Sequence, residues 1–317
     1  MRRNLLSVVV PFYNEAASIP LFFPRVLACL DALEDMACEI VCVNDGSRDA
    51  TLDRLLEAAA ADTRIRVIDL TRNFGKEAAL TAGLEEARGD AVVPFDADLQ
   101  DPPEVIAQLV AKWREGFDVV VAKRVDRSSD GWLKRYTAAL FYRVHNRVAE
   151  TPIPENVGDF RLMSREVVEA LRQLRESRRF MKGLFAWLGY RTAEVAYVRE
   201  VRSAGDTKFS GWKLWNLAIE GLTSFSTMPL RIWSYVGAFV ALLSFVYAAY
   251  LIVRTAVHGA DVPGYASIFT AILFFGGIQL IGIGIIGEYI GRIYMEAKNR
   301  PVYLVRQRYE RDPADAP

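Results

Sequence analysis

Asp96 and Asp98 stand two residues apart in the stretch Pro94-Phe95-Asp96-Ala97-Asp98-Leu99-Gln100-Asp101-Pro102-Pro103-Glu104. The apolar run Ala91-Val92-Val93 feeds into them, and a helix is expected from Pro103. Two carboxylates at the C-terminal end of a buried strand cannot both rest in an apolar core. A divalent cation relieves them, because it takes oxygen ligands and keeps open positions for a phosphorylated substrate. The rest of the chain reads as parts that bring phosphorylated molecules to that ion.

The elements that must position this pair follow from periodicity. Short apolar runs (Leu5–Val10, Ile40–Val43, Ile65–Leu70, Ala91–Phe95, Val119–Ala122) alternate with helix-period segments, roughly Ser18–Glu34, Thr51–Ala61, Lys76–Ala87 and Pro103–Glu115. That alternation predicts an α/β domain with a mostly parallel sheet and helices on both faces. Ligands bind such sheets beyond the carboxyl ends of the strands. The polar clusters fall at those ends: Pro11-Phe12-Tyr13-Asn14-Glu15, Asn44-Asp45-Gly46-Ser47, Thr71-Arg72-Asn73-Phe74-Gly75-Lys76 and the acidic stretch. Each alone reads as a capped turn; four on one rim read as a binding crevice. Gly158–Leu162 is expected as a further strand before a helix near Ser164, and Val195–Val201 as another.

Lys plus Arg number 39 and Asp plus Glu 39, so overall charge points to no nucleic-acid partner. The three cysteines, Cys29, Cys38 and Cys42, form no framework spacing and suggest reduced thiols. Met1-Arg2-Arg3 before a short apolar run is not a secretory leader, because Pro11 and Glu15 follow at once.

From Lys123 the character changes. Basic and aromatic residues between 123 and 150 predict an interfacial helix over about 130–150. A second amphipathic helix is expected over 212–230, with Trp212 and Trp215. Ile232 to Val253 carries no charge and is long enough, at about 1.5 Å per residue, for a hydrocarbon core of about 30 Å. A second uncharged stretch predicts a span over about 265–287. The domains expected are therefore 1–211 (catalytic), 212–230 (interfacial), 231–291 (two spans) and 292–317 (a cytosolic tail). Arg231, Arg292, Lys298, Arg300, Arg306 and Arg308 flank the pair, which places the soluble domain and both termini in the cytoplasm. Gly282-Ile283-Gly284-Ile285-Ile286-Gly287 matches a dinucleotide fingerprint but lies inside a span, where it fails that motif's context. Gly287-x3-Gly291 suits close helix packing and leaves self-association open.

Val8-Val9-Val10-Pro11-Phe12-Tyr13-Asn14-Glu15, Asn44-Asp45-Gly46-Ser47 and Asp96-Ala97-Asp98-Leu99-Gln100-Asp101-Pro102-Pro103 together resemble the family 2 inverting glycosyltransferases of the GT-A fold. With Arg202-x2-Gly205-x2-Lys208-Phe209 and two terminal spans, the pattern is similar to the polyprenyl-phosphate glycosyltransferases along essentially the whole chain. The resemblance implies a sugar moved from a nucleotide diphosphate to the phosphate of a membrane lipid. It implies that Pro11, Tyr13, Asn14, Glu15, Asp45, Lys76, Asp96, Ala97 and Asp98 bind the nucleotide. Asp45 would meet its base end and Lys76 its phosphates. Asp98 and Gln100, with Asp96, would hold Mg²⁺ or Mn²⁺, and Asp159 matches an acidic residue often assigned as base.

A lipid monophosphate is already anionic near neutral pH, its second pKa being about 6. Such an acceptor needs cations that hold it in line more than a strong base; Arg124, Arg127, Arg202 and Lys208 are the candidates. The Gln-x-x-Arg-Trp motif of processive synthases is absent from the sequence, and Asp206-Thr207 stands where many members carry another small polar pair. The expectation is an inner-membrane enzyme making undecaprenyl-phosphate glucose from UDP-glucose. The alternatives are another donor (GDP-mannose, UDP-N-acetylglucosamine, an aminoarabinose nucleotide) or a catalytically silent membrane scaffold.

Overall fold

The computed structural model describes residues 3–33, 35–125, 157–174, 176, 181–198, 228–258 and 264–310. In chain order these form β1 (Asn4–Phe12), α1 (Ile19–Asp31), β2 (Met36–Asn44), α2 (Thr51–Ala61), β3 (Ile65–Leu70), α3 (Lys76–Glu86), β4 (Ala91–Pro94), α4 (Val105–Arg114) and β5 (Val119–Arg124). There follow β6 (Val157–Ser164), α5 (Arg165–Gln173), α6 (Met181–Trp187), β7 (Thr192–Tyr197), the long helices α7 (Met228–His258) and α8 (Tyr265–Ala297), and β8 (Val305–Tyr309).

The strands make one eight-stranded sheet in the order β7-β5-β6-β4-β1-β2-β3-β8. β4-β1-β2-β3 pair in parallel, as does β5 with β7. β6 runs antiparallel to β4 and β5, and β8 antiparallel to β3. The central strands are buried on both faces, which is why they read as continuous apolar runs. One core gathers α1, α2 and α4 on one face around Phe22, Leu30, Leu55 and Leu109. The other gathers α3, α5 and α6 around Leu80, Val168 and Met181.

Two details position the rim. On the first face, Phe12, Phe22, Phe95, Phe160 and Tyr197 form a continuous row, with successive ring centroids 5.5, 6.0, 5.3 and 5.9 Å apart. Phe95 and Phe160 thereby fix the chain just where Asp96 and Asp159 adjoin them. On the other face, small residues let α3 lie close to the sheet: a Cβ on Gly83 would sit 2.2 Å from Val9 Cγ1.

Four expectations change. The expected strand near Val195–Val201 is Thr192–Tyr197, and the helix expected from Pro103 begins at Val105. The tail expected over 292–317 is not featureless, since β8 extends the sheet beside β3. Among the described residues one segment, Phe274–Ala297, is long and apolar enough to cross a membrane, and Tyr235–Ser244 is a shorter apolar stretch. The two expected spans thus fall on two long helices, of which one meets that measure. The interfacial helix expected over about 130–150 and residues 212–227 of the second lie outside the described residues, and residues 228–230 belong to α7. The glycine fingerprint sits within α8, where a Cβ on Gly282 would meet Trp233 Nε1 at 2.1 Å. There the glycine serves helix contact.

Opposite the rim, the sheet's other end carries a buried polar knot. Glu39 accepts hydrogen bonds from Ser7 Oγ (2.5 Å), the Arg88 amide (2.7 Å) and Arg66 Nη1 (3.0 Å). Arg66 and Arg88 also pair with Glu310, just beyond β8. A Glu39→Gln substitution turns an amide NH₂ toward these donors and leaves the buried Arg66 short of charge. We expect a loss of about 3 kcal/mol, read as a lowered unfolding midpoint in detergent.

Candidate functional site

Asp96 and Asp159 emerge at the carboxyl rim from β4 and β6, each next to a buried phenylalanine. Lys76, the first residue of α3, lies between them. Its Nζ donates to Asp96 Oδ2 (2.9 Å) and Asp159 Oδ2 (3.0 Å) and is 2.7 Å from Asp96 Oδ1. Burial opposes the Lys76 charge, and the two carboxylates outweigh it, so its pKa lies above that of an ordinary lysine. Burial pushes the Asp96 carboxyl up, with the Lys76 ammonium opposing. Pro11, Pro94, Lys76, Asp96, Asp101 and Asp159 line one cleft here.

The turn after Asp96 alternates: Phe95, Ala97, Leu99 and Asp101 are buried, while Asp96, Asp98 and Gln100 are half-exposed. Leu99 has φ 55°, a conformation about 1–3 kcal/mol uphill for a residue with a side chain. Its burial holds it there. The Gln100 amide donates to Asp98 Oδ1 at 3.2 Å, closing the turn. Among the described residues no group of three or more His, Cys, Asp or Glu side chains is arranged to hold a metal. The turn instead offers two carboxylates and the side-chain carbonyl oxygen of Gln100, an all-oxygen set suited to a hard cation. Lys76 already brings positive charge to Asp96, one of that set. The residues fit such an ion.

Asp45 is buried, and its carboxylate accepts from Asn73 Nδ2 (3.0 Å) and the amides of Phe74 (2.7 Å) and Gly75 (2.9 Å). Burial pushes its pKa up against those donors. In this structure Asp45 therefore organises the loop that delivers Lys76. Asn14 (φ 53°) ties the first rim loop to the second, accepting from the Arg48 amide (2.9 Å) while its own amide donates to Ser47 Oγ (3.0 Å). The Glu15 amide donates to Thr51 Oγ1 at 2.9 Å, and Tyr13 is exposed on the same loop.

Arg124, at the end of β5, is held from below: its Nε donates to Tyr197 Oη (3.0 Å), which donates to Asp101 Oδ1 (2.6 Å). Burial works against the Arg124 charge, and Tyr197 and Asp101 more than offset it. Arg127, Arg202 and Lys208 lie outside the described residues. Three participants had no role in the sequence reading: Asp101, Tyr197 and Arg161. Arg161 is buried under Asp159, stacks 3.9 Å from the Phe185 ring and donates to the Gly158 carbonyl (2.8 Å). Burial pulls its pKa down to about 10, with Asp159 opposing. Asp101 lies in the acidic motif directly before Pro102-Pro103, which was the available signal; Tyr197 and Arg161 carried none.

With this geometry in place, the chain matches the family described as glycosyl transferase family 2 over residues 7–172, and the GtrB C-terminal hairpin over residues 228–293. It is 55% identical to the prophage-derived bactoprenol glucosyl transferase of Shigella flexneri, across 97% of this chain and 99% of that protein. It is 54% identical to the prophage bactoprenol glucosyl transferase homolog of Escherichia coli K12, across 95% and 98%. It is also 54% identical to the uncharacterized glycosyltransferase sll0501 of Synechocystis, across 95% and 94%. The chain belongs to glycosyltransferase family 2.

Gly46 is where the second and third rim loops touch. Its φ is 60°, and a Cβ there would lie 2.3 Å from the Arg72 carbonyl carbon and 2.5 Å from the Asn73 nitrogen. Both atoms are backbone, so the loop must move. A Gly46→Ala protein should fold, yet trypsin should cut after Arg72 about tenfold faster, the effect of a local opening made easier by somewhat over 1 kcal/mol.

Proposed function

We propose that this protein transfers a glucosyl group from UDP-glucose to polyprenyl phosphate, with inversion at the anomeric carbon and release of UDP. The observation that carries the reading is Lys76 poised between Asp96 and Asp159 on the strand rim. It stands in a chain that aligns end to end with proteins named bactoprenol glucosyl transferase. The names supply the sugar and the lipid. A lysine ammonium at the strand rim supports the reading of a diphosphate bound there.

In the reaction an acceptor phosphate oxygen attacks the anomeric carbon as the bond from that carbon to the donor diphosphate breaks, the electron pair leaving with UDP. Asp96, Asp98 and Gln100 would hold Mg²⁺ or Mn²⁺, which when bound neutralises the leaving diphosphate. Lys76 has an alternative partner in the donor phosphates, and when it turns to them Asp96 and Asp159 lose the ammonium they share. Asp159 then orients the sugar or an arginine; the acceptor, already ionised, asks little of a base. Arg124, fixed by Tyr197 and Asp101, presents positive charge for the acceptor phosphate, with Arg127, Arg202 and Lys208 as its proposed companions. Asp45 and the Pro11–Glu15 loop are proposed to hold the nucleoside end. The helices α7 and α8 are proposed to anchor this domain at the cytoplasmic face of the inner membrane, where the lipid phosphate is presented.

The test is consumption of UDP-glucose by purified protein in detergent with a polyprenyl phosphate. Chelation of divalent ions should stop it, and Mg²⁺ or Mn²⁺ should restore it. Asp98→Ala should lower turnover by about 10²–10³, the scale of losing one stabiliser of developing charge. A chelator-resistant reaction, or an Asp98→Ala protein near full activity, contradicts the metal assignment.

A further inference from the structure

The strand that follows the second long helix begins beside the loop that delivers Lys76. β8 pairs with β3 irregularly: Gln307 stands opposite Asp69 and Val305 opposite Leu70, so Arg306 is the extra residue between them. An inserted residue of this kind re-aims its side chain and is common beside active sites. Arg306 Nη2 donates to the Thr71 carbonyl at 2.7 Å, and its Nη1 lies 3.4 Å from Asp69 Oδ2. The Thr71 amide in turn donates to the Leu304 carbonyl at 2.9 Å.

Asp69 makes this contact consequential. Its side chain is 2% exposed, and a buried carboxylate without a counter-charge is costly. Its Oδ1 accepts from Asn44 Nδ2 at 2.7 Å. Asn44 precedes Asp45, the carboxylate that gathers Asn73, Phe74 and Gly75. Arg306 therefore touches both ends of one small unit: Thr71 at the start of the loop, and the Asp69–Asn44 pair beneath its clamp. We propose that Arg306 is a positioning residue for the 71–76 loop, so that the C-terminal strand ties the register of the membrane-anchored tail to the placement of Lys76. For what the loop binds, this rests on the glycosyl-transfer reading; for the loop's order, it rests on the contacts alone.

Two readouts separate these. The first is hydrogen exchange at the Phe74 and Gly75 amides in the full-length, ligand-free protein. The second is the split between KM for UDP-glucose and kcat. Arg306→Met should speed exchange at both amides about tenfold and raise KM by a similar factor, with kcat within about twofold. Arg306→Lys, which keeps the charge, should fall between Arg306→Met and the parent. Asp69→Asn combined with Arg306→Met removes the stranded charge while keeping an acceptor for Asn44, and should return exchange toward the parent rate. Unchanged exchange at Phe74 and Gly75 in Arg306→Met overturns the proposal, even where the midpoint of unfolding falls, because the residue then only supports the edge strand. Should Arg306→Met not accumulate, Arg306→Lys and the double variant decide in the same way. Parent protein that consumes no UDP-glucose refutes the functional reading and leaves the exchange result to decide this one.

Discussion

A lysine ammonium held between two carboxylates is the interaction on which the site depends. Asp96 and Asp159 come from neighbouring antiparallel strands, β4 and β6, and a cation between them offsets the repulsion that would otherwise push a proton onto one of them. In the structure that cation is Lys76, placed there by the start of α3. A site whose carboxylate repulsion is offset by its own side chain can stay folded without substrate. The arrangement asks for accurate delivery of Lys76, and much of the rim serves that end: the positive φ at Gly46, the three donors on Asp45 and the close seat of α3 against β1.

The parallel sheet was legible because its strands are buried on both faces. Leu5–Val10, Ile40–Val43 and Ile65–Leu70 each lie within an observed strand, and the polar clusters do mark one rim. β8 escaped notice for the opposite reason. Val305-Arg306-Gln307-Arg308-Tyr309 is a half-exposed edge strand, apolar only at its ends, and it reads as a solvated basic tail until β3 is seen to need a partner. The strand at Thr192–Tyr197 starts earlier than expected because Thr192 and Glu194, on its exposed side, interrupt the apolar run that continues from Val195.

The residues of the site were legible as types, but their relations were not. Asp45 in Asn-Asp-Gly-Ser announces a turn or a ligand, and only the fold brings Asn73, Phe74 and Gly75 to it. Tyr197 lies 96 residues from Asp101, and no local pattern joins them beneath Arg124. Arg161, buried beneath a carboxylate and against Phe185, looks in the sequence like any strand cation. Long-range pairing of this kind is set by strand order, here β7-β5-β6-β4, which a linear reading does not supply.

The chemistry assigned to this rim is most directly tested by the product. Purified protein would be offered undecaprenyl phosphate with UDP-glucose, UDP-N-acetylglucosamine and GDP-mannose in turn, and the lipid fraction read by mass and by the anomeric coupling of the attached sugar. The expected result is a hexosyl phospholipid formed from UDP-glucose in preference to the others, with the β-configuration that inversion of an α-linked donor requires. A lipid product of retained configuration, or none from any donor, would contradict it.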